Sequence, residues 1–162
     1  METVNIKIVM KNGQEMKAEL YPEVAPITVE NFLKLIDEKF FDGLIFHRVI
    51  AGFMIQGGGY DAKMVHHDAP SIKGEFRSNG VKNDLKHERG VLSMARTMMP
   101  NSASSQFFIM HQNAPHLDDQ YAAFGRVTEG FDVIDDIANV TTTINDAPIT
   151  PIVIETICRE EC

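Results

Sequence analysis

An arginine and a glutamine stand out in residues 46–58, an otherwise apolar stretch that predicts two short strands separated by a bend. Strand side chains alternate between two faces, so Arg48 shares a face with apolar neighbours and Gln56 shares one with Met54. Arginine is rarely buried without a partner. Two interpretations are open: a solvent-facing charge on an edge strand, or a groove with a guanidinium and an amide above a floor of Phe53 and Met54.

A second amide lies in the strand predicted at residues 106–110, after a turn-rich insert at residues 96–105. Alternation places Gln106 and Phe108 on one face of this strand, with only apolar residues on the other. Two such faces in one small β protein favour a shared, partly exposed groove.

The sequence offers no familiar constellation for bond-breaking chemistry. A G-x-S-x-G motif is absent, and no carboxylates are paired as in a glycosidase. The glycine run at residues 57–59 lacks the Lys-Ser/Thr of a phosphate loop. His66, His67 and Asp68 lack further ligands nearby, so neither a metal nor a cofactor is predicted. What remains is binding alone, or a reaction that leaves no lasting covalent bond.

Rotation about an X–Pro peptide bond is such a reaction. Its barrier arises from amide resonance, and the uncatalysed step takes roughly 10–100 s near room temperature. In the twisted transition state the prolyl nitrogen gains a lone pair, to which a guanidinium can donate only in that state. An acceleration of about 10⁶ needs only about 8 kcal/mol, which an apolar pocket, an anchored carbonyl and one charge-assisted hydrogen bond would supply.

Composition and charge set the protein class. The chain has 162 residues, of which 44% are hydrophobic and 23% charged, as in a soluble domain with its own core. A net charge of −8 argues against nucleic acid as a partner. Neither an apolar leader nor a stretch of ~20 apolar residues is present, so we expect a cytoplasmic protein without membrane contact. Cys158 and Cys162 are expected to be free thiols.

The elements that position the groove are predicted to be mainly strands. Alternation on both sides of Asn12-Gly13 predicts a β-hairpin over residues 4–20. Apolar residues at i, i+3, i+4 and i+7 predict a helix that begins with Thr28 as N-cap. With seven or eight strands, two helices and no linker, we expect one antiparallel barrel or sandwich. Further strands are predicted at residues 90–95, 121–127 and 151–157, a second helix at 130–140, and a long loop at 60–89.

These motifs resemble the cyclophilin family of peptidyl-prolyl cis-trans isomerases. The resemblance is carried by F-H-R-V-I-x-G-F-M-x-Q-G-G at residues 46–58 and S-x-Q-F-F-I at residues 104–109, and it covers nearly the whole chain. It implies a mainly β fold, a closed eight-stranded antiparallel barrel capped by two α-helices. It also implies one domain over residues 1–162, with the active groove outside the barrel, as in small bacterial members.

The resemblance implies a role for each residue of the groove. Arg48 matches the catalytic arginine, and Gln56 matches the residue that orders this arginine and the substrate backbone. The pocket for the proline ring corresponds to Phe53, Met54, Phe108 and Leu117. The segments that contact the residues before proline carry Ala95, Arg96, Thr97 and Gln106, while His116 and Tyr121 complete the groove.

Two positions depart from the pattern of many eukaryotic members. His116 stands where they carry a tryptophan that contributes to cyclosporin binding, so we expect cyclosporin to bind weakly while catalysis is less affected. Tyr121 stands where a groove histidine is common, and it still offers a ring and a hydroxyl. Residues 96–100 are one residue longer than in those members, which leaves the register of Thr97 open.

The resulting prediction is a monomeric peptidyl-prolyl cis-trans isomerase that acts on peptides and on unfolded or flexible proteins and assists folding as a chaperone. The alternative is a non-catalytic proline-peptide binding module on the same fold. Arg48 disfavours it, because a pure binder does not need a transition-state donor. A small-molecule carrier barrel is a third hypothesis, which the bulky inward residues Phe107, Ile109 and Phe124 disfavour.

Overall fold

Eight antiparallel strands form one curled sheet in the computed structural model, which describes residues 3–160. In chain order they are β1 (Val4–Met10), β2 (Glu15–Leu20), β3 (Arg48–Ile50), β4 (Met54–Gly57), β5 (Val91–Met94), β6 (Phe107–Met110), β7 (Ala123–Glu129) and β8 (Ile154–Arg159). The two helices are α1 (Pro26–Asp37) and α2 (Phe131–Ala138). Across the sheet the order is β3-β4-β6-β5-β7-β2-β1-β8. The predicted mainly β fold with eight strands and two helices is confirmed.

The sheet does not close completely. Its outermost strands, β3 and β8, are not paired with each other in the described residues. Backbone bonds of the segments before them partly bridge the gap: the Phe46 amide donates to the Ile152 carbonyl (3.0 Å), and the Ile154 amide donates to the Leu44 carbonyl (2.8 Å). A curled half-barrel therefore describes the fold better than the closed barrel that we predicted.

The predicted N-terminal hairpin is present. Val4 pairs with Leu20 and Val9 pairs with Glu15, on either side of the turn at Asn12-Gly13. Gly13 has φ +95°, a left-handed conformation that glycine adopts at no steric cost. Alternate residues of both strands therefore point inwards and are buried.

Helix α1 begins three residues earlier than predicted. Pro26 occupies the first turn, where its fixed φ suits a helix, and Ala25 is the N-cap without a side-chain bond, so the prediction of Thr28 as N-cap is wrong. Thr28 is buried, and its amide (2.6 Å) and hydroxyl (2.7 Å) both donate to Oε1 of the buried Glu75. A carboxylate 47 residues away thus satisfies the first turn of the helix.

Aromatic rings fill the inside of the curled sheet. Phe32 of α1 packs on Phe41, Phe107 and Phe124, with ring centroids 4.9–5.2 Å apart. A second buried cluster includes Met54, Phe108, Met110 and Leu117, with Phe53 and Tyr121 packed against it. This second cluster lies on the other face of the strands and forms the floor of the groove described below.

Two further predictions concern the cysteines and membrane contact. Cys158 is disulfide-bonded, so the free thiol that we expected is wrong for this residue, whereas Cys162 lies outside the described residues. Within residues 3–160, neither helix is long and apolar enough to cross a membrane.

Candidate active site

Strand pairing brings the arginine and the first amide into one row. Arg48 on β3 lies opposite Gln56 on β4, and Gln56 lies opposite Phe108 on β6. Directly opposed residues in antiparallel strands project from the same face. The three side chains therefore stand side by side over the second hydrophobic cluster, as alternation predicts.

Gln56 is the centre of a short polar chain. Its Nε2 donates to Oε1 of Gln106 (2.9 Å), and its own Oε1 accepts a long hydrogen bond from Nη1 of Arg48 (3.4 Å). Gly59 leaves room for Gln106, because a Cβ on Gly59 would lie 2.5 Å from Cγ of Gln106. Gln56 thus orients Arg48, and Gln106 in turn fixes Gln56.

A pocket of about 150 Å³ opens beside Arg48. Six of its nine lining residues have apolar or aromatic side chains, and two are arginines. It is lined by Arg48, Phe53, Met54, Gln56, Ala95, Arg96, Phe108, Leu117 and Tyr121. A larger hollow of about 390 Å³ between the β1–β2 turn and α2 contains none of the predicted site residues, so volume alone does not identify the site.

Three predicted residues do not line this pocket. Gln106 lies behind Gln56 and holds it, and the exposed His116 stacks on Phe53 with ring centroids 5.8 Å apart, at the pocket's rim. Thr97 is exposed, and both its amide and its hydroxyl bond to the Ser102 hydroxyl oxygen, at 2.9 and 2.8 Å. The structure therefore gives Thr97 a role within its own turn and not in the pocket wall.

Arg96 is held rigidly. Its guanidinium carbon lies 4.7 Å from the ring centroids of both Phe76 and Tyr121. Nε and Nη2 donate to the Gln120 carbonyl (3.1 and 2.7 Å), and Nη1 donates to the Thr97 carbonyl (2.9 Å). Phe76 and Gln120 were not predicted as supports, because neither is near Arg96 in sequence.

A buried histidine supports the pocket floor from below. His87 stacks on Phe108 at 6.1 Å, its Nδ1 lies 3.0 Å from Oδ1 of Asp118, and its Nε2 lies 2.9 Å from the Ser93 hydroxyl. Burial lowers the pKa of His87, although Asp118 opposes this shift. These residue types also occur in nucleophilic triads, but Ser93 is fully buried beneath the floor and out of a substrate's reach. No local sequence pattern indicates this support, because His87 and Asp118 are 31 positions apart.

The bend between β3 and β4 is supported by residues that are distant from it in sequence. The Gly52 amide donates to Nδ1 of His111, and Nε2 of His111 lies 3.0 Å from Oδ1 of Asp135 in α2. Arg89 binds both oxygens of Asp135 (2.7 and 3.0 Å) and holds the pKa of this carboxyl below its usual value. Because Phe53 follows Gly52, this network positions one wall of the pocket.

The histidines nearest Arg48 show no metal-binding arrangement. Burial, with smaller contributions from Arg48 and His66, lowers the pKa of His47 to about 4. His66 and His67 each face a carboxylate, Asp68 at 2.9 Å and Asp61 at 3.0 Å. Within the described part of the chain, no three ligating side chains come together where they could hold a metal ion.

Comparison with known proteins gives a consistent result. The family model described as cyclophilin type peptidyl-prolyl cis-trans isomerase/CLD matches residues 4–159. The peptidyl-prolyl cis-trans isomerase of Acinetobacter baylyi is 47% identical over 146 residues, which are 86% of this chain and 75% of that protein. Peptidyl-prolyl cis-trans isomerase B of Escherichia coli is 36% identical over 166 residues, 93% and 96% of the two chains.

Solved structures are similar over the full length. The crystal structure of a cyclophilin type peptidyl-prolyl cis-trans isomerase from Cryptosporidium parvum matches with a TM-score of 0.84 and 29% identity, and covers 99% of each chain. The same protein in the presence of the dipeptide Ala-Pro matches with a TM-score of 0.82 and 30% identity, over 98% of this chain and 99% of that one.

Proposed function

Because this chain belongs to the cyclophilin type of peptidyl-prolyl cis-trans isomerases, we propose that it catalyses rotation about X–Pro bonds at the pocket beside Arg48. The observation that carries the proposal is an arginine without a carboxylate partner, within the described residues, at the edge of an apolar pocket. This arrangement suits a substrate with a ring to bury and a nitrogen to receive a hydrogen bond. The Cryptosporidium relative was crystallised in the presence of Ala-Pro, a dipeptide of this class.

The apolar wall has the composition needed to hold a prolyl ring. Phe53, Met54, Phe108 and Leu117 line one continuous part of the pocket, and all but Phe53 are buried. Burial of apolar surface contributes about 25 cal/mol per Å². In this proposal the wall fixes the ring, so that the remainder of the peptide rotates about the prolyl nitrogen.

Arg48 is the proposed catalytic residue. In a planar amide the nitrogen lone pair is delocalised and accepts no hydrogen bond, whereas in the twisted transition state it becomes an acceptor. A guanidinium beside it then stabilises the transition state more than either ground state, which is the condition for catalysis. Gln56 orients both the guanidinium and the substrate backbone in this proposal, with Gln106 as its anchor.

The remaining predicted contacts complete the proposed groove. Ala95, Arg96 and Gln106 would face the residues before proline, with Tyr121 and His116 along the wall. The proposal extends to folding proteins as clients and to a monomer in the cytoplasm. A pocket that is open at the surface supports folding proteins as clients, because a proline within a longer chain can enter. Refolding of a protein whose folding is limited by proline isomerisation tests the folding clients. Sedimentation tests the monomer, and cell fractionation tests the compartment.

The decisive experiment measures isomerisation of a blocked X–Pro peptide by exchange NMR. We expect wild-type turnover far above the uncatalysed rate. Arg48→Ala should lower kcat by about 10²–10³-fold, the size of effect seen when one transition-state donor is removed, while the peptide Kd changes much less. Arg48→Lys keeps the charge but not the planar guanidinium, so its kcat should lie between those of the wild type and Arg48→Ala.

Two outcomes contradict this function. Wild-type protein that binds the peptide but isomerises it at the uncatalysed rate would establish the non-catalytic binding module instead. Parallel losses of binding and turnover in Arg48→Ala would remove Arg48 as the transition-state donor, because they indicate uniform binding.

A further inference from the structure

The six arginines of the chain fall into two groups by their partners. Four of them form ion pairs with carboxylates, and these pairs are Arg77 with Asp84 and Asp119, Arg89 with Asp135, Arg126 with Glu88, and Arg159 with Asp37. The other two, Arg48 and Arg96, have no carboxylate partner among residues 3–160. Both of these line the proposed substrate pocket.

The pocket carries positive charge in a protein that is negative overall. None of its nine lining residues is Asp or Glu, whereas the whole chain has a net charge of −8. Charges that line a concave site beside an apolar wall focus their field into it. The four other arginines are paired with carboxylates, but no carboxylate lines the pocket in which a peptide would bind.

Arg96 presents its charge in a fixed position. The rings of Phe76 and Tyr121 hold the guanidinium on both sides, and three N–H groups donate to the carbonyls of Gln120 and Thr97. A guanidinium has five N–H donors, so two remain for a ligand. Neutral carbonyls orient the group without cancelling its charge, and little side-chain entropy is left to lose on binding.

We propose that Arg96 makes this site select peptides with an acidic side chain, Asp or Glu, in one of the two positions before the proline. The proposal rests on the proposed function, since it requires an X–Pro peptide in the pocket. In the proposed function Ala95, Arg96 and Gln106 face the residues before the proline, and the Ala95 amide donates to the Gln106 carbonyl. Arg96 is therefore beside the amide pair and not beside the Phe53 bend. Arg48 adds to the same field while it serves the prolyl nitrogen.

The test compares peptides that differ only in charge. Acetylated and amidated peptides of the forms Xaa-Ala-Pro-Phe and Ala-Xaa-Pro-Phe, with Xaa as Glu, Gln or Lys, are assayed by exchange NMR at low salt. We expect kcat/KM to be about five- to tenfold higher for Glu than for Lys in at least one series, with Gln between them. Added salt should reduce the ratio.

Three variants separate charge from structure. Arg96→Gln should bring the Glu:Lys ratio close to one. Arg96→Lys, which keeps the charge but not the stacked fork, should retain most of the preference. Arg159→Gln removes the same charge from an ion pair with Asp37 and should retain the full preference. Thermal unfolding of each variant confirms that the compared proteins are folded.

Several results would overturn the proposal. One is equal kcat/KM for Glu and Lys peptides in the wild type, and another is an unchanged Glu:Lys ratio in Arg96→Gln. A third is a Glu:Lys preference lost as completely in Arg96→Lys as in Arg96→Gln. A failure of the proposed function is distinguishable, because the uncharged Gln peptide would then isomerise at its uncatalysed rate. Turnover of the Gln peptide without a charge preference would contradict the role of Arg96 alone.

Discussion

The Gly52 amide donates a 2.8 Å hydrogen bond to Nδ1 of His111, 59 residues along the chain. Gly52 has φ +82°, so the bend depends on a left-handed conformation that this bond holds in place. The His111 amide donates to the Phe53 carbonyl (2.9 Å), which adds a second tie. The imidazole accepts at Nδ1 and donates at Nε2 to Asp135, and this pair of roles requires its neutral form.

Replacement of His111 tests whether this bond positions Phe53. In His111→Asn the amide oxygen stands where Nδ1 was, so the bond to Gly52 is retained. His111→Gln reaches towards Asp135 instead and loses that bond. We expect KM for an X–Pro peptide to rise about three- to tenfold in His111→Gln and His111→Ala, as for the loss of about 1 kcal/mol of hydrogen bonding, with kcat less affected. His111→Asn should resemble the wild type.

Hydrogen exchange at the Gly52 amide gives a direct measurement. Exchange should be slow in the wild type and in His111→Asn, and faster in the other two variants. Equally slow exchange in His111→Ala would show that the bend does not depend on His111. A similar rise in KM for all three substitutions would indicate that packing of the imidazole ring, and not its hydrogen bond to Gly52, positions Phe53.

Stability should depend on pH through His47. The pKa of this residue falls to about 4 in the folded protein, mainly through burial, with Arg48 and His66 as like charges. Because the unfolded chain has the ordinary value of 6.5, it takes up a proton first as the pH falls. The free energy of unfolding is therefore lost progressively from about pH 6.5 towards pH 4, and is fully present above this window.

Urea unfolding between pH 7.5 and 4 checks this expectation. His47→Gln should flatten part of the slope, because it removes the group whose pKa differs between the folded and unfolded states. Burial of His87 lowers its pKa in the same direction, so a residual slope is expected in the His47 variant. Identical slopes for wild type and His47→Gln would contradict the assignment.

The buried contact between Thr28 and Glu75 should contribute strongly to stability. Glu75→Ala leaves the amide and hydroxyl of Thr28 without an acceptor, and we expect a loss of about 2–4 kcal/mol in the free energy of unfolding. Glu75→Gln keeps an acceptor oxygen and should cost less. The double variant Thr28→Ala/Glu75→Ala should lose less free energy of unfolding than the sum of the two single losses, since both substitutions remove the same contact. Additive losses in denaturant titrations would show that they act separately.

His116 should limit cyclosporin binding. The imidazole at the pocket rim stacks on Phe53 and offers less apolar surface than an indole. We expect His116→Trp to bind cyclosporin more tightly than the wild type in isothermal titration, with little change in peptide turnover. His116→Ala should bind no more tightly than the wild type. Equal affinities of wild type and His116→Trp would remove this residue as the cause.

Local periodicity predicted the row of site residues, because strand alternation alone decides which side chains share a face. Arg48, Gln56 and Phe108 accordingly stand together. The supports of the groove join distant residues, as His87 joins Asp118 across 31 positions. The cap at Thr28 was misplaced for the same reason, since its partner Glu75 lies in the segment read as a loop. Sheet closure likewise depends on curvature, which no residue pattern encodes.

The pairing of β1 with β8 has a consequence for synthesis of the chain on the ribosome. Residues 4–10 are made well before their partners at residues 154–159. Until the later segment emerges, β1 presents an open edge on a nascent sheet, which is a site for unwanted strand addition. The hairpin with β2 is local and forms early, but the sheet is completed only after residues 154–159 have been synthesised. Truncation before residue 154 should therefore yield a chain that aggregates.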